Sequence, residues 1–198
     1  TKEEFLNYKL DYLIANNNLE LIKLYLYKND NYNNDKIIKF YVNEYLSNSD
    51  LENACNIFNN INLFNEEYLT KFKIYCLINE SRTEEAQLIF DLLKELDFKE
   101  EFFEKKFSLL MGYITEQDED ISDKNILDFH LSHRTNSNVQ YKPDNNTSKI
   151  IWKYLSSSNL LQKIETIDLE NVEEILIIEK ATHEKIYNEK ELFDLYKR

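Results

Sequence analysis

Two histidines, His130 and His133, are the only closely spaced pair of histidines in the chain. A spacing of i to i+3 puts both rings on one face of a helix, where they could bind zinc together. A zinc site needs three or four converging ligands, and Asp128, two positions before His130, faces elsewhere. No H-E-x-x-H motif is present. We therefore predict no metal site, with His130 and His133 as weak candidates.

Acidic residues are the next group that could do chemistry, as general acids and bases. Most of the adjacent glutamate pairs fall in predicted first turns, where carboxylates favour the helix dipole. These pairs are Glu3-Glu4, Glu66-Glu67, Glu84-Glu85, Glu100-Glu101 and Glu173-Glu174. The run 118–120 lacks the glycine and the final glutamate of a calcium loop. We predict no catalytic residues and no cofactor.

Gly112 is the only glycine and Pro143 the only proline among 198 residues. Phosphate-binding loops, dinucleotide-binding turns and nucleophile elbows all need several glycines where the backbone turns sharply or approaches a ligand. Tight β-hairpins need them as well. Because apolar residues recur at helical spacing almost throughout, we predict an all-α fold.

The charge balance restricts the class of partner. With 37 acidic and 24 basic residues the formal net charge is −13. Nucleic acids and anionic membranes are bound mainly through Lys and Arg, so this balance argues against both. No apolar run approaches the roughly 20 residues of a membrane-spanning helix, so we predict no membrane insertion. A protein or peptide remains the expected partner, and the oligomeric state is left open.

Neither the ends of the chain nor its cysteines fix the compartment. The sequence begins at Thr1 and stops within a helical pattern, so we expect a piece of a longer, soluble protein of the cytoplasm or the periplasm. Cys55 and Cys76 form no C-x-x-C motif and lie beside apolar residues. We predict two buried thiols, with a disulfide between adjacent helices as the alternative in an oxidising compartment.

The segment 1–113 is predicted to form helical hairpins. Apolar stripes and polar breaks predict helices at 3–15, 19–27, 35–46, 51–61, 66–78, 83–96 and 99–113. We call the first helix of each hairpin the outward helix and the second the return helix. Tyr12, Tyr45 and Tyr75 then lie near the ends of successive outward helices, at separations of 33 and 30 residues. Two-helix units of this length indicate an α-solenoid, because stacking buries the faces that one hairpin leaves open.

The predicted return helices resemble the second helix of tetratricopeptide repeats. In 50–58 and 83–90 a small residue, Ala54 or Ala86, is followed four positions later by Phe58 or Phe90. The resemblance implies an irregular right-handed solenoid, because several positions depart from the family pattern. Ile22, Val42, Leu10 and Phe72 stand where the family has small residues, and no proline ends a unit. Pentatricopeptide RNA-binding proteins share the hairpin, but the acidic charge opposes that branch.

The segment 121–198 is predicted to be a less regular helical extension. Helices are expected from Ser122 to His133, over 149–155 with Thr147 as the cap, over 169–180, and from Asn188 or Glu189 onward. The polar stretch 134–146, which contains Pro143, is expected to be a loop that is mobile or contacts a partner. The runs 126–135 and 151–155 resemble helical proteins of bacteria, and this resemblance implies no activity.

Exposed aromatic residues are a second signal of binding. Tyr8, Tyr25, Tyr27 and Tyr32 cluster in the first hairpin. Inter-repeat packing is the favoured interpretation, and an interface the alternative, because exposed Tyr is common in binding surfaces.

The function that these features favour is non-catalytic. Outward helices of stacked hairpins would line a groove for a peptide or partner helix. The candidate contacts are Asn7, Asp11, Lys39, Asn43, Lys71 and Lys73. One alternative is a structural helical arm of a larger multidomain enzyme, for example a cell-wall lytic enzyme. The least favoured alternative is an enzyme that uses His130, His133 and an acidic partner.

Overall fold

The computed structural model describes residues 2–16, 21–22, 35–60, 66–116, 118–136 and 138–197. Within these ranges the chain is all-helical, as predicted. Its α-helices are α1 (Lys2–Ala15), α2 (Asp35–Ser47), α3 (Leu51–Asn56), α4 (Glu67–Asn79), α5 (Thr83–Glu95), α6 (Glu101–Leu110), α7 (Ile126–Thr135), α8 (Lys149–Ser157), α9 (Val172–His183) and α10 (Glu189–Tyr196). Short 3-10 turns occupy Ile57–Asn60 and Ile164–Thr166.

The hairpins α2–α3 and α4–α5 repeat at one fixed interval. The outward helices α2 and α4 end at Ser47 and Asn79. The return helices α3 and α5 begin at Leu51 and Thr83, and these two starts are separated by as many residues as the two ends. Their turns match as well. The Asp50 N–H donates to the Tyr45 carbonyl, and the Arg82 N–H donates to the Leu77 carbonyl. Tyr45 is therefore equivalent to Leu77, and not to Tyr75 as the sequence-based match has it.

The same turn ends several other helices. A residue with positive φ follows the helix, and the N–H groups of this residue and the next bond back to carbonyls of the last turn. These residues are Ser49, Ser81, Asp97, Gly112, Asn159 and Lys185, with φ between 56° and 74°. Only one of them is glycine. Tight turns with a left-handed residue are therefore present although glycine is scarce. Polar residues adopt the positive φ in most of them.

The outward helices pack in a row that closes on itself. α2 contacts α4, α4 contacts α6, and α6 contacts α7, while α7 and α8 fold back onto α2. A linear array in which each unit touches only its neighbours would not bring α2 against α7 and α8. One apolar cluster accordingly runs from Ile38 to Leu195, through both predicted segments.

Helix boundaries differ from the predictions where local capping decides them. The predicted helix 51–61 becomes α3 and a 3-10 turn. α7 begins after Asn125, whose side chain accepts from the Asp128 N–H, rather than after Ser122. The Ser122 N–H donates instead to Ser132 Oγ. The side chains of Asp50 and Asn188 cap their helices, and Asn188 forms a capping box with Glu191.

Two threonines at predicted helix starts do not act as side-chain caps. Thr83 is the first residue of α5, which follows Arg82 without a side-chain cap. Thr147 Oγ1 bonds with Asp144, and α8 follows Ser148. The predicted return helix 19–27 lies mostly outside the described residues, although Leu21 and Ile22 are helical. Tyr25, Tyr27 and Tyr32 also lie outside them.

Cys55 and Cys76 form a disulfide that links α3 to α4. The prediction of two free thiols is therefore wrong, and the alternative is right. The reason is the packing of one return helix on the next outward helix, which brings the two Cα atoms within 5.4 Å. Both residues are buried in the core.

The predicted loop 134–146 is irregular from Asn136 onward in its described part. Tyr141 anchors it, because its ring packs edge-on against Phe129 at 4.8 Å and its hydroxyl donates to Asp123. No helix in the described ranges combines the length and the apolar character needed to span a membrane.

Candidate functional site

The repeat arranges most of the candidate contacts in two columns on the outward helices. Lys39 on α2 is equivalent to Lys71 on α4, and Asn43 is equivalent to Tyr75. The ends of α1 and α2 are separated by as many residues as the ends of α2 and α4. Asn7 is therefore equivalent to Lys39, and Asp11 to Asn43. We call the surface formed by Asn7, Asp11, Lys39, Asn43, Lys71 and Tyr75 the groove face.

At the α1 end the groove face is open to solvent. Asp11 pairs with Lys36 of α2 at 3.1 Å, and both side chains are more than half exposed. The side chain of Asn7 lies outside the described residues. Such an exposed pair contributes little to stability, so its carboxylate is accessible to another partner.

In the middle of the groove face, side chains of α2 contact side chains at the start of α4. The Lys39 ammonium pairs with Glu66 and lies 4.8 Å from the centroid of the Tyr68 ring. The Tyr68 hydroxyl donates to Asn43 Oδ1 at 2.5 Å. Lys39 and Asn43 therefore already have partners within the chain, although Lys39 keeps 41% of its side chain exposed.

On α4 the groove face is buried. Lys71 is only 5% exposed. Its ammonium pairs with Glu100, contacts Glu67 at 3.6 Å, and lies 5.7 Å from the centroid of the Phe103 ring. A lysine at this depth must keep its ion pair, because an unpaired buried charge is strongly destabilising.

The two lysines make equivalent contacts. Glu66 is the N-cap residue of α4, and Glu100 is the N-cap residue of α6. In each case the lysine is the fifth residue of an outward helix, and it forms an ion pair with the glutamate that immediately precedes the next outward helix. This repeated ion pair joins α2 to the start of α4, and α4 to the start of α6. The pattern of the sequence does not reveal these internal partners of Lys39 and Lys71.

Helix α7 covers the groove face at α4. Every residue from Ile126 to Ser132 is buried. His130 Nε2 lies 2.7 Å from the Tyr75 hydroxyl. Asp128 is 1% exposed, and burial raises the pKa of its carboxyl, which the nearby Lys71 ammonium partly offsets. α7 therefore occupies, within the same chain, the position that a bound helix would take.

The histidines predicted as weak metal candidates form a hydrogen-bond chain with tyrosines. His130 Nδ1 lies 2.7 Å, and His133 Nδ1 2.8 Å, from the Tyr154 hydroxyl. Two proton arrangements satisfy every group. In one, Tyr75 donates to His130 Nε2, His130 Nδ1–H donates to Tyr154, and Tyr154 donates to His133 Nδ1; in the other, every donor and acceptor is reversed. In both arrangements one nitrogen of His130 accepts a hydrogen bond, so its ring is neutral.

Burial supports that protonation state. It lowers the pKa of His130 to about 3, with help from Arg134 and His133, and it also lowers the pKa of His133. Burial raises the pKa of Tyr154 to about 12. These hydrogen-bonded histidines and tyrosines are thus uncharged at pH 7. Among the described residues, no group of three or more His, Cys, Asp or Glu side chains is placed to hold a metal ion.

Lys73, the remaining candidate contact, lies on another face of α4. It lines a cavity of about 140 Å³ beside the disulfide, together with Arg82 and Glu85. Burial, and then the charge of Arg82, lowers the pKa of its ammonium group. The structure therefore does not bring Lys73 together with Lys71.

A further buried ion pair, which sequence analysis missed, lies at α6. Lys106 is fully buried and contacts Asp118 at 2.8 Å. Burial raises the pKa of Asp118, but hydrogen bonds from Lys105 and Lys106 outweigh it and bring the pKa down to about 2. The acidic run 118–120 thus anchors α6, and its burial cannot be inferred from the charge pattern alone.

Comparison with known proteins gives no relative: neither a protein-family model, nor a curated protein, nor a solved structure matches this chain.

Proposed function

We propose that this chain is a non-catalytic protein–protein interaction scaffold, an irregular right-handed stack of tetratricopeptide-like hairpins that binds a peptide or partner helix in its groove. The carrying observation is the uneven cover of the groove face. At α4 it is buried beneath α7, whereas Asp11 of α1 keeps 54% of its side chain exposed.

The packing of α7 supports a helix as the ligand. α7 lies against α2 and α6, and its His130 bonds with Tyr75 of α4. Outward helices of this chain therefore accept a helix across them, with apolar contacts and a few directed hydrogen bonds. A partner helix at the open end would use Asn7, Asp11 and Lys39 in place of Lys71 and Tyr75.

The test is a charge exchange at the open end. Asp11→Lys with Lys39→Glu leaves the net charge unchanged and reverses the pattern of the groove face. Asp194→Lys with Lys197→Glu is the matched control, because this pair is exposed on the distant helix α10 and the adjoining turn. Each variant serves as bait in a lysate of the source organism, with captured proteins identified by mass spectrometry at low and high salt.

We expect one dominant, salt-sensitive protein that binds the wild type and the control but not the groove variant. A partner that binds all three equally would exclude the groove face. If no protein is enriched, the structural-arm hypothesis is favoured instead. Circular dichroism melts of all three baits show whether a loss of binding reflects a loss of folding.

A further inference from the structure

A cavity of about 220 Å³ lies between the start of α8 and the last turns of α9. The turn that precedes α8, together with Ser148 and Trp152, forms one wall, and Ile177, Lys180 and Ala181 of α9 form the other. None of the lining residues belongs to the groove face. The cavity is therefore a separate site.

The start of α8 supplies hydrogen-bond donors to this cavity. The first N–H groups of an α-helix have no carbonyl partner within the helix, and a capping side chain often satisfies one of them. Ser148 is the N-cap residue of α8, but its side chain makes no capping bond. Thr147, the other hydroxyl residue of this turn, bonds with Asp144 instead. Within the described part of the chain, the first turn of α8 therefore lacks a side-chain acceptor.

Trp152, the only tryptophan of the chain, supplies a further donor. It is 6% exposed, and its ring packs edge-on against the Tyr187 ring, with the centroids 6.4 Å apart. Its indole N–H has no hydrogen-bond acceptor in the described residues, and the nitrogen is not sealed within the core, so it faces the cavity that the ring lines. A buried donor without an acceptor is rare in folded proteins. This N–H therefore indicates an acceptor that comes from outside the chain.

The charged groups around the cavity indicate the same kind of ligand. The Glu184 carboxylate lies 3.5 Å from the Lys149 ammonium, and the Asp144 carboxylate accepts hydrogen bonds within its own turn. The Lys180 ammonium donates to the Asn145 carbonyl at 3.2 Å and, with three N–H groups, can donate again. The carboxylates in the wall are thus engaged, whereas donors and positive charge remain available.

We propose that this cavity binds a small organic acid through its carboxylate. The carboxylate oxygens accept from the first N–H groups of α8, from the Ser148 hydroxyl and from the Trp152 indole, and the Lys180 ammonium balances the charge. The apolar part of the acid lies against Ile177 and Ala181.

The chemistry of the wall favours a carboxylate over phosphate. Phosphate carries more than one negative charge at pH 7, and the carboxylates of Asp144 and Glu184 would repel the additional charge. Phosphate also has no apolar part to cover Ile177 and Ala181. A single carboxylate on a short alkyl chain meets both conditions. This site lies apart from the groove face, so either proposal can fail alone.

Trp152 gives a direct readout, because no other tryptophan contributes to the fluorescence. The protein is titrated with butyrate, and with butanol and inorganic phosphate for comparison, at constant ionic strength. We expect a saturable change in tryptophan fluorescence with butyrate, at a concentration about tenfold lower than any change with butanol, because hydrogen bonds to a charged group are stronger. Equal responses to butyrate and butanol, no saturable response to butyrate, or tighter binding of phosphate would each overturn the proposal.

Two substitutions locate the bound acid. Lys180→Gln removes a positive charge from the cavity, and Ser148→Ala removes a donor, so we expect them to weaken butyrate binding by about tenfold and about threefold. Lys163→Gln is the matched control, because Lys163 is exposed and lies outside this cavity. If Lys180→Gln and the control had the same effect, butyrate would be responding to net charge and not to this site.

Trp152→Phe tests the indole donor itself. It keeps an aromatic ring and removes the N–H, and we expect calorimetry to show butyrate binding weakened by about tenfold. Circular dichroism melts of all four variants show whether each one is folded. Unchanged binding in folded Trp152→Phe would overturn the proposal, because the buried indole N–H would then have no part in holding the acid.

Discussion

The hairpins α2–α3 and α4–α5 have the same backbone, yet equivalent side chains differ sharply in burial. Lys39 and Lys71 each hold the N-cap glutamate of the next outward helix, but their side chains are 41% and 6% exposed. The difference comes from the segment that leads into α6, because Glu100 and the rings of Phe98 and Phe103 lie against the Lys71 ammonium. The repeat therefore determines backbone geometry and partner choice, whereas residues far along the chain determine how much each contact contributes to stability.

Charge reversal at the two lysines is the largest expected contrast. Lys71→Glu puts two carboxylates together in a buried site, and we expect it to lower the free energy of unfolding by about 3–5 kcal/mol. Lys39→Glu disrupts a half-exposed pair and should cost no more than about 1 kcal/mol. Urea unfolding measures both. Equal losses would show that the greater burial of Lys71 does not strengthen its contribution to stability.

This contrast changes the use of Lys71 as a probe of binding. As candidate contacts of an open groove, Lys39 and Lys71 would both be suitable for a test of binding by charge reversal. The burial of Lys71 means that its reversal tests folding and not binding. Asp11 replaces it in the binding test for this reason.

The disulfide gives the next largest contrast. Its two cysteines are separated by 21 residues, and removing a bond that closes a loop of this size typically costs about 3 kcal/mol. We expect that loss for Cys55→Ala with Cys76→Ala, measured by urea unfolding. Glu44 stands at the position of Cys76 in the earlier hairpin and pairs with Lys153 at 2.7 Å. Glu44→Gln should cost less, about 1–2 kcal/mol, because Lys153 keeps 36% of its side chain exposed and glutamine can still accept its hydrogen bond. A cost as large as that of the disulfide would contradict the comparison.

The pH dependence of stability distinguishes the covered from the open part of the groove face. His130 bonds with Tyr75, and its pKa is lowered to about 3, against about 6.5 in the unfolded chain. Between these values the unfolded state binds more protons, so stability present above pH 6.5 is lost as the pH falls. The slope contributed by this ring approaches one proton, or about 1.4 kcal/mol per pH unit.

His130→Gln tests that contribution. Unfolding free energies between pH 6.5 and 5 should fall less steeply with decreasing pH in this variant than in the wild type. Asn43→Ala, at the position equivalent to Tyr75, is the control, since Asn43 bonds with Tyr68 and no histidine. We expect the control to keep the wild-type slope. An unchanged slope in His130→Gln would mean that folding does not lower the pKa of His130.

Local pattern was enough to predict the helices, but not what covers them. Apolar spacing located both hairpins, and a small residue followed by an aromatic one marked Ala54–Phe58 and Ala86–Phe90 as return segments. The same pattern could not show that α7 folds back on α4, because that contact joins positions far apart in the chain, as in Tyr75 and His130. A lysine such as Lys106 looks the same in sequence whether exposed or buried.

The register of the repeat shows a second limit. Matching Tyr12, Tyr45 and Tyr75 gave unequal separations, whereas the helix ends and turns repeat at one fixed interval. Tyr75 is in fact equivalent to Asn43, and both bond with a neighbouring element. Conspicuous side chains are thus a poor guide to register. The positions that turn the backbone, Ser49 and Ser81, define it better.

Substitutions of these two serines are expected to change the free energy of unfolding least. The change again depends on whether another segment of the chain contacts the turn. Both serines have positive φ, 58° and 62°, which costs a non-glycine residue about 1–2 kcal/mol. Ser81→Gly should therefore raise the free energy of unfolding by roughly 0.5–1 kcal/mol, after the entropy that glycine gains in the unfolded chain. Ser49 Oγ also contacts Ser157 and Ser158 of the covering C-terminal segment at 2.7 Å.

Ser49→Gly removes those contacts together with the strain, so its gain should be smaller than that of Ser81→Gly. Gly112→Ala provides the reverse test, because its φ is 74° and an added Cβ would have no atom within 4 Å. Its cost should come from the backbone alone and be about 1 kcal/mol. Thermal melts of the three variants measure these differences. If both serine variants gained equally, the bonds from Ser49 to the C-terminal segment would contribute nothing, and the two hairpins would differ only in the cover of their groove face.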